Sequence, residues 1–207
     1  MVDRQVLIGQ LTDTHVVADG VTAADTTTGI DNNGRLRSAV ASILAEPAPL
    51  DAVVVTGDLV NDARVEEYDT AVELLAPLAA QRGPGTPASV GNRLLPIPGN
   101  HDRPGELRRR FPNVPWADTE HTSWVTDVGG VRLIGLDSTR VRAGVVEHGG
   151  AVDADRLDWL DRVLGIAHDG PTVLAMHHPP FASGIWWMDR WGFEGLDLLA
   201  EVLADRA

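Results

Sequence analysis

The sequence predicts an α/β protein in which helices cover a layered β-sheet structure. Short apolar and β-branched runs are typical of buried strands, and apolar residues at helical spacing recur between them. The two kinds of segment alternate along the chain, which favours sheets flanked by helices. A length of 207 residues is that of one domain with a substantial core. We therefore expect residues 1–207 to form a single domain.

The first half of the chain contains three predicted strands and two predicted helices. The strands are VLIGQL (6–11), AVVVTG (52–57) and RLLPIP (93–98). Apolar residues recur every three or four positions over 36–44 and again over 68–78, which predicts a helix in each interval. Residues 16–34 and 83–92 are rich in glycine and polar turn-forming residues, and we expect them to form loops.

The second half combines a hairpin with further alternating elements. The runs SWVTDV (123–128) and VRLIGLD (131–137) are separated by two glycines, which is typical of a β-hairpin. The spacing of leucine and valine predicts helices over 157–164 and 196–203, and TVLAMH (172–177) predicts another strand.

Composition excludes several classes of site and partner. The sequence has no cysteine, so it offers neither disulfides nor thiolate metal ligands, and this fits a cytoplasmic protein. The net charge of −13 argues against binding to a nucleic acid polymer. No apolar run approaches the length of a membrane span, so we expect no membrane association. The beginning of the sequence is typical of a first strand rather than of a signal peptide.

Polar motifs follow the ends of four predicted strands. They are Asp13-Thr14-His15, Gly57-Asp58, Gly99-Asn100-His101-Asp102 and His177-His178. In open α/β sheets, functional side chains lie beyond the carboxyl ends of the strands. Each motif alone is commonly a turn or a cap. Together, in this order and behind four strands, they predict one shared site of carboxylates, imidazoles and an amide.

These motifs resemble those of the calcineurin-like metallophosphoesterase family, which run Asp-x-His, Gly-Asp, Gly-Asn-His-Asp/Glu, His and Gly-His-x-His. The resemblance covers nearly the whole chain. It is strongest to the branch of class III cyclic-nucleotide phosphodiesterases and glycerophosphodiesterases. The runs that resemble this branch are GDLVNDARVEEYD, IPGNHD and MHHPP. It implies a metallophosphoesterase-type β-sandwich flanked by helices. It also implies a metal-dependent hydrolase of small phosphoric esters, specifically a phosphodiesterase.

The resemblance also implies a role for individual residues. The implied metal ligands are Asp13, His15 and Asp58 for one ion, and Asp58, Asn100 and His177 for a second. His101 is implied to contact the substrate phosphate or to protonate the leaving group, and Asp102 to orient His101. Carboxylate, imidazole and amide ligands suit Mn, Fe, Zn or Co, and a pair of such ions can hold two phosphoryl oxygens at once.

One family motif does not occur in this sequence. Gly-His-x-His, which would add one ligand to each ion, is absent. We therefore expect the domain to lack its C-terminal strands, either as a truncated product or as a chain completed by a partner. Two alternative functions stay open at this point. One is a phosphomonoesterase, and the other is a catalytically impaired remnant that acts as a binding module.

The remaining histidines and the tryptophan-rich segment are assigned by their context. His121, His148 and His168 lie outside the motifs, and we interpret them as surface or structural residues. His178 is expected to point to the opposite strand face from His177 and to have a packing or supporting role. Residues 184–193 contain three tryptophans, namely Trp186, Trp187 and Trp191. They are expected either to pack beneath missing strands or to form a substrate wall or a contact between copies of a homo-oligomer.

Overall fold

A computed structural model describes residues 5–21, 29–48, 50–80, 94–117 and 121–206. The predicted loop 83–92 and residues 22–28 of the predicted loop 16–34 lie outside the described residues. The described strands are β1 (Ile8–Leu11), β2 (Ala52–Thr56), β3 (Leu94–Ile97), β4 (Trp124–Val128), β5 (Val131–Gly135), β6 (Thr139–Arg142), β7 (Val145–Ala151), β8 (Thr172–Ala175) and β9 (Phe193–Glu194). The described helices are α1 (Asn32–Leu44), α2 (Val65–Ala80), α3 (Pro104–Arg110), α4 (Ala154–Gly165), α5 (Trp186–Asp189) and α6 (Leu196–Ala204).

The first sheet is parallel and has the order β1-β2-β3. Every residue of the central strand β2 is buried. Its side chains share one core with Leu36 of α1 and Leu75 of α2, and with Trp124 and Leu133 of the second sheet. Burial on both faces explains why β2 is a continuous β-branched run rather than an alternating one.

The second sheet contains the predicted hairpin and has the order β4-β5-β8. Strands β4 and β5 are antiparallel, and β8 is parallel to β5. Along β5, Leu133 belongs to the first core, whereas Ile134 belongs to a second core with Leu160 of α4 and Leu199 of α6. The layers are therefore helices, sheet, sheet and helices, which confirms the predicted α/β class.

Helices α1 and α4 each begin at a side-chain cap and pack on the outer faces of the sheets. The carboxylate of Asp31 accepts a hydrogen bond from the Gly34 N–H (2.8 Å) at the start of α1. Asp153 does the same for the Arg156 N–H (3.0 Å) at the start of α4. These contacts satisfy N–H groups that a helix start leaves free. Among the described residues, no helix is both long enough and apolar enough to cross a membrane.

A third sheet and two short helices were not predicted from the sequence. The sheet has the order β6-β7-β9, and its hairpin turns at Ala143 and Gly144, whose φ angles are 50° and 79°. Strand β9 has only two residues and β6 only four, and the sequence of β7, VVEHGGA, contains two glycines. Such segments carry no strong periodic signal. This sheet nevertheless matters for the site, because it brings His148 beside the ends of the other strands.

Candidate metal centre

The ends of β1, β2, β3 and β8 converge on one cavity of about 500 Å³. Its lining includes six residues that the sequence predicted for the site: Asp13, His15, Asp58, Asn100, His101 and His177. Parallel strands β1, β2 and β3 place their carboxyl ends at a common edge. The end of β8 reaches the same place from the second sheet. The predicted convergence of these four strand ends is confirmed.

Asp58 lies between the other ligand candidates. Its Oδ1 is 3.5 Å from His177 Nε2, and its Oδ2 is 3.7 Å from His15 Nε2. Among the residues that the structure describes, two groups could each hold a metal ion, namely His15, Asp58 and His101, and Asp13, Asp58 and His177. Within each group the ligand atoms lie within 4.8 Å of one another. Asp58 belongs to both groups, as the bridging role implied by the resemblance requires.

Three of the ligand candidates have an unusual backbone conformation. The φ angles of Asp13, His15 and Asp58 are 51°, 42° and 50°. Non-glycine residues in the left-handed region cost about 1–3 kcal/mol each and persist only where surrounding contacts hold them. Here the Asp13 N–H donates to the Gly57 carbonyl (3.1 Å) and the His15 N–H to the Asp58 carbonyl (3.0 Å). Such strain is concentrated at functional sites.

Two glycines allow the strand ends to approach each other. Gly57 has a φ angle of 92°, and a Cβ atom there would lie 2.4 Å from the Nδ1 of His177. A Cβ atom on Gly99 would lie 2.3 Å from the Oδ1 of Asp58. Both distances are far below van der Waals contact, so any side chain at either position would displace a ligand candidate.

Backbone carbonyls hold two of the imidazole rings. The Nδ1 of His177 is 2.8 Å from the Thr56 carbonyl oxygen, and the Nδ1 of His101 is 2.6 Å from the Asn61 carbonyl oxygen. A carbonyl oxygen only accepts, so both rings donate from Nδ1. This leaves Nε2 available in the cavity, and it is how metal-binding histidines are commonly oriented.

Acceptor atoms converge around His177 in a way that fits a cation. Its Nε2 lies 3.4 Å from the Oδ1 of Asn100 and 3.5 Å from the Oδ1 of Asp58. With the His177 ring neutral and Nδ1 protonated, all three atoms are acceptors facing one another. Either a second proton on His177 or a metal ion satisfies them. The donor set is oxygen and imidazole nitrogen, which suits borderline divalent metals.

Burial and charge interactions at the site shift three pKa values. Burial alone would raise the pKa of Asp58, but the hydrogen bond and charge of His177 hold it below its ordinary value. Burial likewise opposes protonation of His177, yet its contact with Asp58 raises the pKa of His177 to about 9. Burial lowers the pKa of His15. In the metal-free protein at neutral pH, His177 is therefore charged and His15 is neutral.

The Asp102 carboxylate has different hydrogen-bond partners from the one expected. It was predicted to orient the His101 ring, but its carboxylate accepts hydrogen bonds from three backbone N–H groups instead. These are the N–H groups of Gly99 (2.9 Å), Leu59 (3.1 Å) and Val60 (3.3 Å). The Asn61 carbonyl takes the position at His101 Nδ1. Asp102 is buried, which raises its pKa to about 7. It ties the loop after β3 to the loop after β2.

A family model confirms the resemblance that these motifs carry. The model of the calcineurin-like phosphoesterases matches residues 6–199. The chain belongs to the calcineurin-like phosphoesterase family. Members of this family use divalent metals, and the oxygen and imidazole donors around Asp58 fit such ions.

Three curated relatives match most of this calcineurin-like phosphoesterase. A probable glycerophosphodiester phosphodiesterase of Arcobacter nitrofigilis is 31% identical over 201 residues, which are 96% of this chain. A probable cyclic nucleotide phosphodiesterase of Rhodopseudomonas palustris is 32% identical over 195 residues, or 94% of the chain. A 3′,5′-cyclic adenosine monophosphate phosphodiesterase of Pseudomonas aeruginosa is 30% identical over 203 residues, or 98% of the chain. The chain spans 65% of the length of each of these three relatives.

His148 lies at the candidate site, although the sequence did not predict it there. It was interpreted as a surface or structural histidine, but it lines the cavity from β7. Its Nδ1 lies 3.3 Å from the Nδ2 of Asn100, and its ring centroid is 6.3 Å from that of His101. His148 is exposed, as a surface residue is expected to be, but its place at the cavity was not predicted because no motif marks it and the sheet that carries it was not predicted.

His178 and His168 agree better with their interpretations. His178 is buried, its Nδ1 lies 2.8 Å from the Ser138 Oγ, and burial lowers its pKa to about 4. This is a packing role, but His178 also lines the cavity with His177, because β8 ends at Ala175 and strand alternation no longer applies. His168 lies at the surface, where its Nε2 is 3.1 Å from the Oδ2 of Asp127.

Proposed function

We propose that the protein is a metal-dependent phosphodiesterase that binds two ions of Mn, Fe, Zn or Co. The observation that carries this proposal is the pair of donor groups that share Asp58 within one cavity. The names of the three relatives, which describe phosphodiesterases of glycerol and of cyclic nucleotides, support the same reaction class. The substrate is then a small phosphodiester. A cytoplasmic location, predicted from the lack of cysteine, belongs to this proposal.

The ligand candidates would bind two metal ions in two sets that share Asp58. Asp13, His15 and Asp58 would hold one ion, and Asp58, Asn100 and His177 the other. By distance, His101 groups with His15 and Asp58, whereas Asp13 groups with Asp58 and His177. Asn100 contributes oxygen without a negative charge, so the loaded site keeps a positive charge for an anionic phosphodiester. Divalent ions in this position supply Lewis-acid activation of the phosphoryl group.

His101 is the residue best placed to act on the substrate. The Asn61 carbonyl holds its Nδ1–H, so the ring presents Nε2 to the cavity. From there it can contact a phosphoryl oxygen or deliver a proton to the leaving oxygen, which is general acid catalysis. The His15 and His101 rings meet edge to face, with centroids 4.7 Å apart, so the ring of His101 has a defined orientation.

Hydrolysis with and without metal tests the proposal. The substrates are bis(p-nitrophenyl) phosphate as diester and p-nitrophenyl phosphate as monoester, each with added Mn²⁺ and with a chelator. We expect Mn²⁺-dependent hydrolysis of the diester, with the monoester slower. Equal rates with metal and with chelator would overturn the metal mechanism. Faster hydrolysis of the monoester than of the diester would favour the alternative that the protein is a phosphomonoesterase.

Metal analysis separates an enzyme from a binding module. The purified protein should contain close to two metal ions per chain after incubation with Mn²⁺ and removal of the excess. His168→Ala serves as a control, because His168 lies at the surface beside Asp127 and away from the donor groups. A protein that retains no metal and hydrolyses neither ester would support the remnant interpretation instead.

A further inference from the structure

The cavity of the candidate metal centre also has an apolar wall. Its largest apolar and aromatic lining residues are Phe181, Met188, Trp191, Phe193 and Leu196. They line the same space of about 500 Å³ as the ligand candidates. This volume lies within the range of small-molecule sites, which typically combine apolar walls with a few polar groups. The donor groups explain the polar part of this cavity but not the apolar wall.

His148 connects the apolar wall to the donor groups. On one side its Nδ1 is 3.3 Å from the Nδ2 of Asn100. On the other side its ring centroid is 4.7 Å from that of Trp191, with an angle of 44° between the ring planes. Trp191 therefore lies one side chain away from a metal-ligand candidate. A substrate whose phosphate lies at the donor groups would bring its ester group against these two rings.

Several contacts hold Trp191 in place before any ligand binds. Its carbonyl accepts a hydrogen bond from the guanidinium of Arg140 (3.3 Å). The Gly150 N–H of β7 donates to the carbonyl of Gly192 (3.1 Å), which ties this segment to the third sheet. The guanidinium of Arg190 lies 4.7 Å from the centre of the Trp191 ring. The hydrogen bonds fix the backbone at Trp191, and the Arg190 contact restricts its ring, so less conformational freedom is lost on binding, which favours affinity.

A second set of contacts orders the neighbouring loop. The carboxylate of Asp189 accepts hydrogen bonds from the N–H groups of Ser183 (2.8 Å) and Gly184 (3.0 Å) and from the Ser183 hydroxyl (2.7 Å). These contacts connect the start of the loop to α5. Phe181 and Met188, which flank this connection, therefore belong to a built wall rather than to a loose segment.

We propose that Trp191 and His148 bind the flat aromatic group of a nucleotide phosphodiester, and that Trp191 makes the protein selective for this substrate class over glycerophosphodiesters. The inference rests on the proposed function. Bases stack on aromatic side chains irrespective of their hydrogen-bonding edges. A glycerol group would place hydroxyls against tryptophan, phenylalanine and leucine, where they would lose water without gaining partners.

Kinetics with two esters test this selectivity. The substrates are 3′,5′-cyclic AMP and glycerophosphoethanolamine, with Mn²⁺ present. We expect Trp191→Leu to lower kcat/KM for the cyclic nucleotide roughly tenfold, mainly through KM, and to leave the value for the glycerol ester unchanged. Trp191→Phe keeps an aromatic ring and should retain most of the activity. Equal effects of Trp191→Leu on both esters, or none on either, would overturn the inference.

Trp186→Leu is the matched control for these measurements. Trp186 lies in the same segment, but its side chain is 73% exposed and does not line the cavity. This variant should behave like the wild type with both esters. A loss equal to that of Trp191→Leu would show that the segment is merely being destabilised, which also contradicts a specific role for Trp191.

Binding without catalysis separates this inference from the proposed function. Calorimetry measures the Kd of AMP for the chelator-treated wild type and for the two leucine variants. We expect a roughly tenfold higher Kd for Trp191→Leu and an unchanged Kd for Trp186→Leu. If the wild type hydrolyses neither ester, the proposed function fails, yet this binding difference still supports the aromatic site. An identical Kd in all three proteins overturns it.

Discussion

The carboxylate of Asp58 faces His15 with one oxygen and His177 with the other, whereas Asn100 offers one neutral oxygen. Asp58→Ala should therefore weaken metal binding more than Asn100→Ala. We expect Mn²⁺ affinity to fall by more than about 100-fold for Asp58→Ala and by about tenfold for Asn100→Ala. For comparison, removing a residue that hydrogen-bonds to a metal ligand typically lowers metal affinity by about 10–100-fold. Metal content after dialysis against graded Mn²⁺ measures both.

His168→Ala is the control for these variants, because it removes an imidazole at the surface. It should bind metal like the wild type. Equal losses for Asp58→Ala and Asn100→Ala would contradict the bridging position of Asp58.

His101 belongs to a donor group by distance but is proposed to act on the substrate. If it does, His101→Ala should keep nearly full metal content while kcat for a phosphodiester falls by roughly 10²–10⁴-fold, the usual contribution of a general acid. The measurement combines metal analysis with steady-state kinetics on the same sample. Loss of about one ion per chain would instead assign His101 as a ligand.

His177 links metal binding to pH. Contact with Asp58 raises the pKa of His177 to about 9, so the metal-free ring carries a proton at pH 7 that a metal ion must displace. Mn²⁺ affinity should therefore increase as the pH rises from 7 towards 9, by up to about tenfold per unit. Calorimetry in buffers of different ionisation enthalpy should show about one proton released at pH 7. An affinity that is the same at pH 7 and pH 8.5 would be inconsistent with this.

At the scale of the elements, glycine at position 57 lets the chain after β2 pack closely against His177, which follows β8. A Cβ atom at Gly57 would lie 2.4 Å from the His177 ring and 2.9 Å from the Cα of Gly99, at a φ angle of 92°. Gly57→Ala should therefore combine a left-handed backbone cost of about 1–2 kcal/mol with an overpacking cost of about 1–3 kcal/mol. Urea denaturation measures the total.

Gly144→Ala is the matched control for this prediction. Gly144 also has a positive φ angle, 79°, but a Cβ atom there would contact nothing within 4 Å. It should show only the backbone cost of about 1–2 kcal/mol and retain metal binding. If both variants lose the same stability, the contact between β2 and β8 is not what requires glycine at position 57.

At the scale of the whole molecule, a buried ion pair joins α4 to the second and third sheets. Burial alone would raise the pKa of Asp137, but Arg156 and two threonine hydroxyls hold it below its ordinary value, so Asp137 is ionised at pH 7. Arg156 also donates to the carbonyls of Thr139 (3.0 Å) and Ala151 (3.3 Å). Arg156→Met should destabilise the fold by roughly 3–5 kcal/mol, because it leaves a buried charge without its partner.

Arg206→Met provides the comparison for this buried pair. Arg206 makes two hydrogen bonds to Asp161, at 2.8 and 2.9 Å, in an exposed position. Exposed ion pairs contribute little to folding, so thermal unfolding of this variant should resemble that of the wild type. Similar destabilisation of both variants would show that burial is not what gives the Arg156 contact its importance.

The sequence by itself determined the parts of this protein that have strong local signals. Helices α1, α2, α4 and α6 follow apolar residues at helical spacing, and β2 follows a β-branched run, because burial selects those patterns directly. The ligand candidates were also predictable, since each follows a strand end within a short motif. The family model over residues 6–199 confirmed the resemblance that those motifs carry.

Only the tertiary structure decided which of these residues touch. His148 comes to the site on β7, and Trp191 lies two residues before β9, the short strand that pairs with β7. This pairing depends on partners distant in the sequence rather than on local periodicity. Asp102 stands next to His101 in the chain, yet its carboxylate bonds to the backbone of Gly99, Leu59 and Val60. Adjacency in sequence does not set the direction of a side chain after a turn. Backbone hydrogen bonds and packing between strands set it, and these exist only in the folded chain.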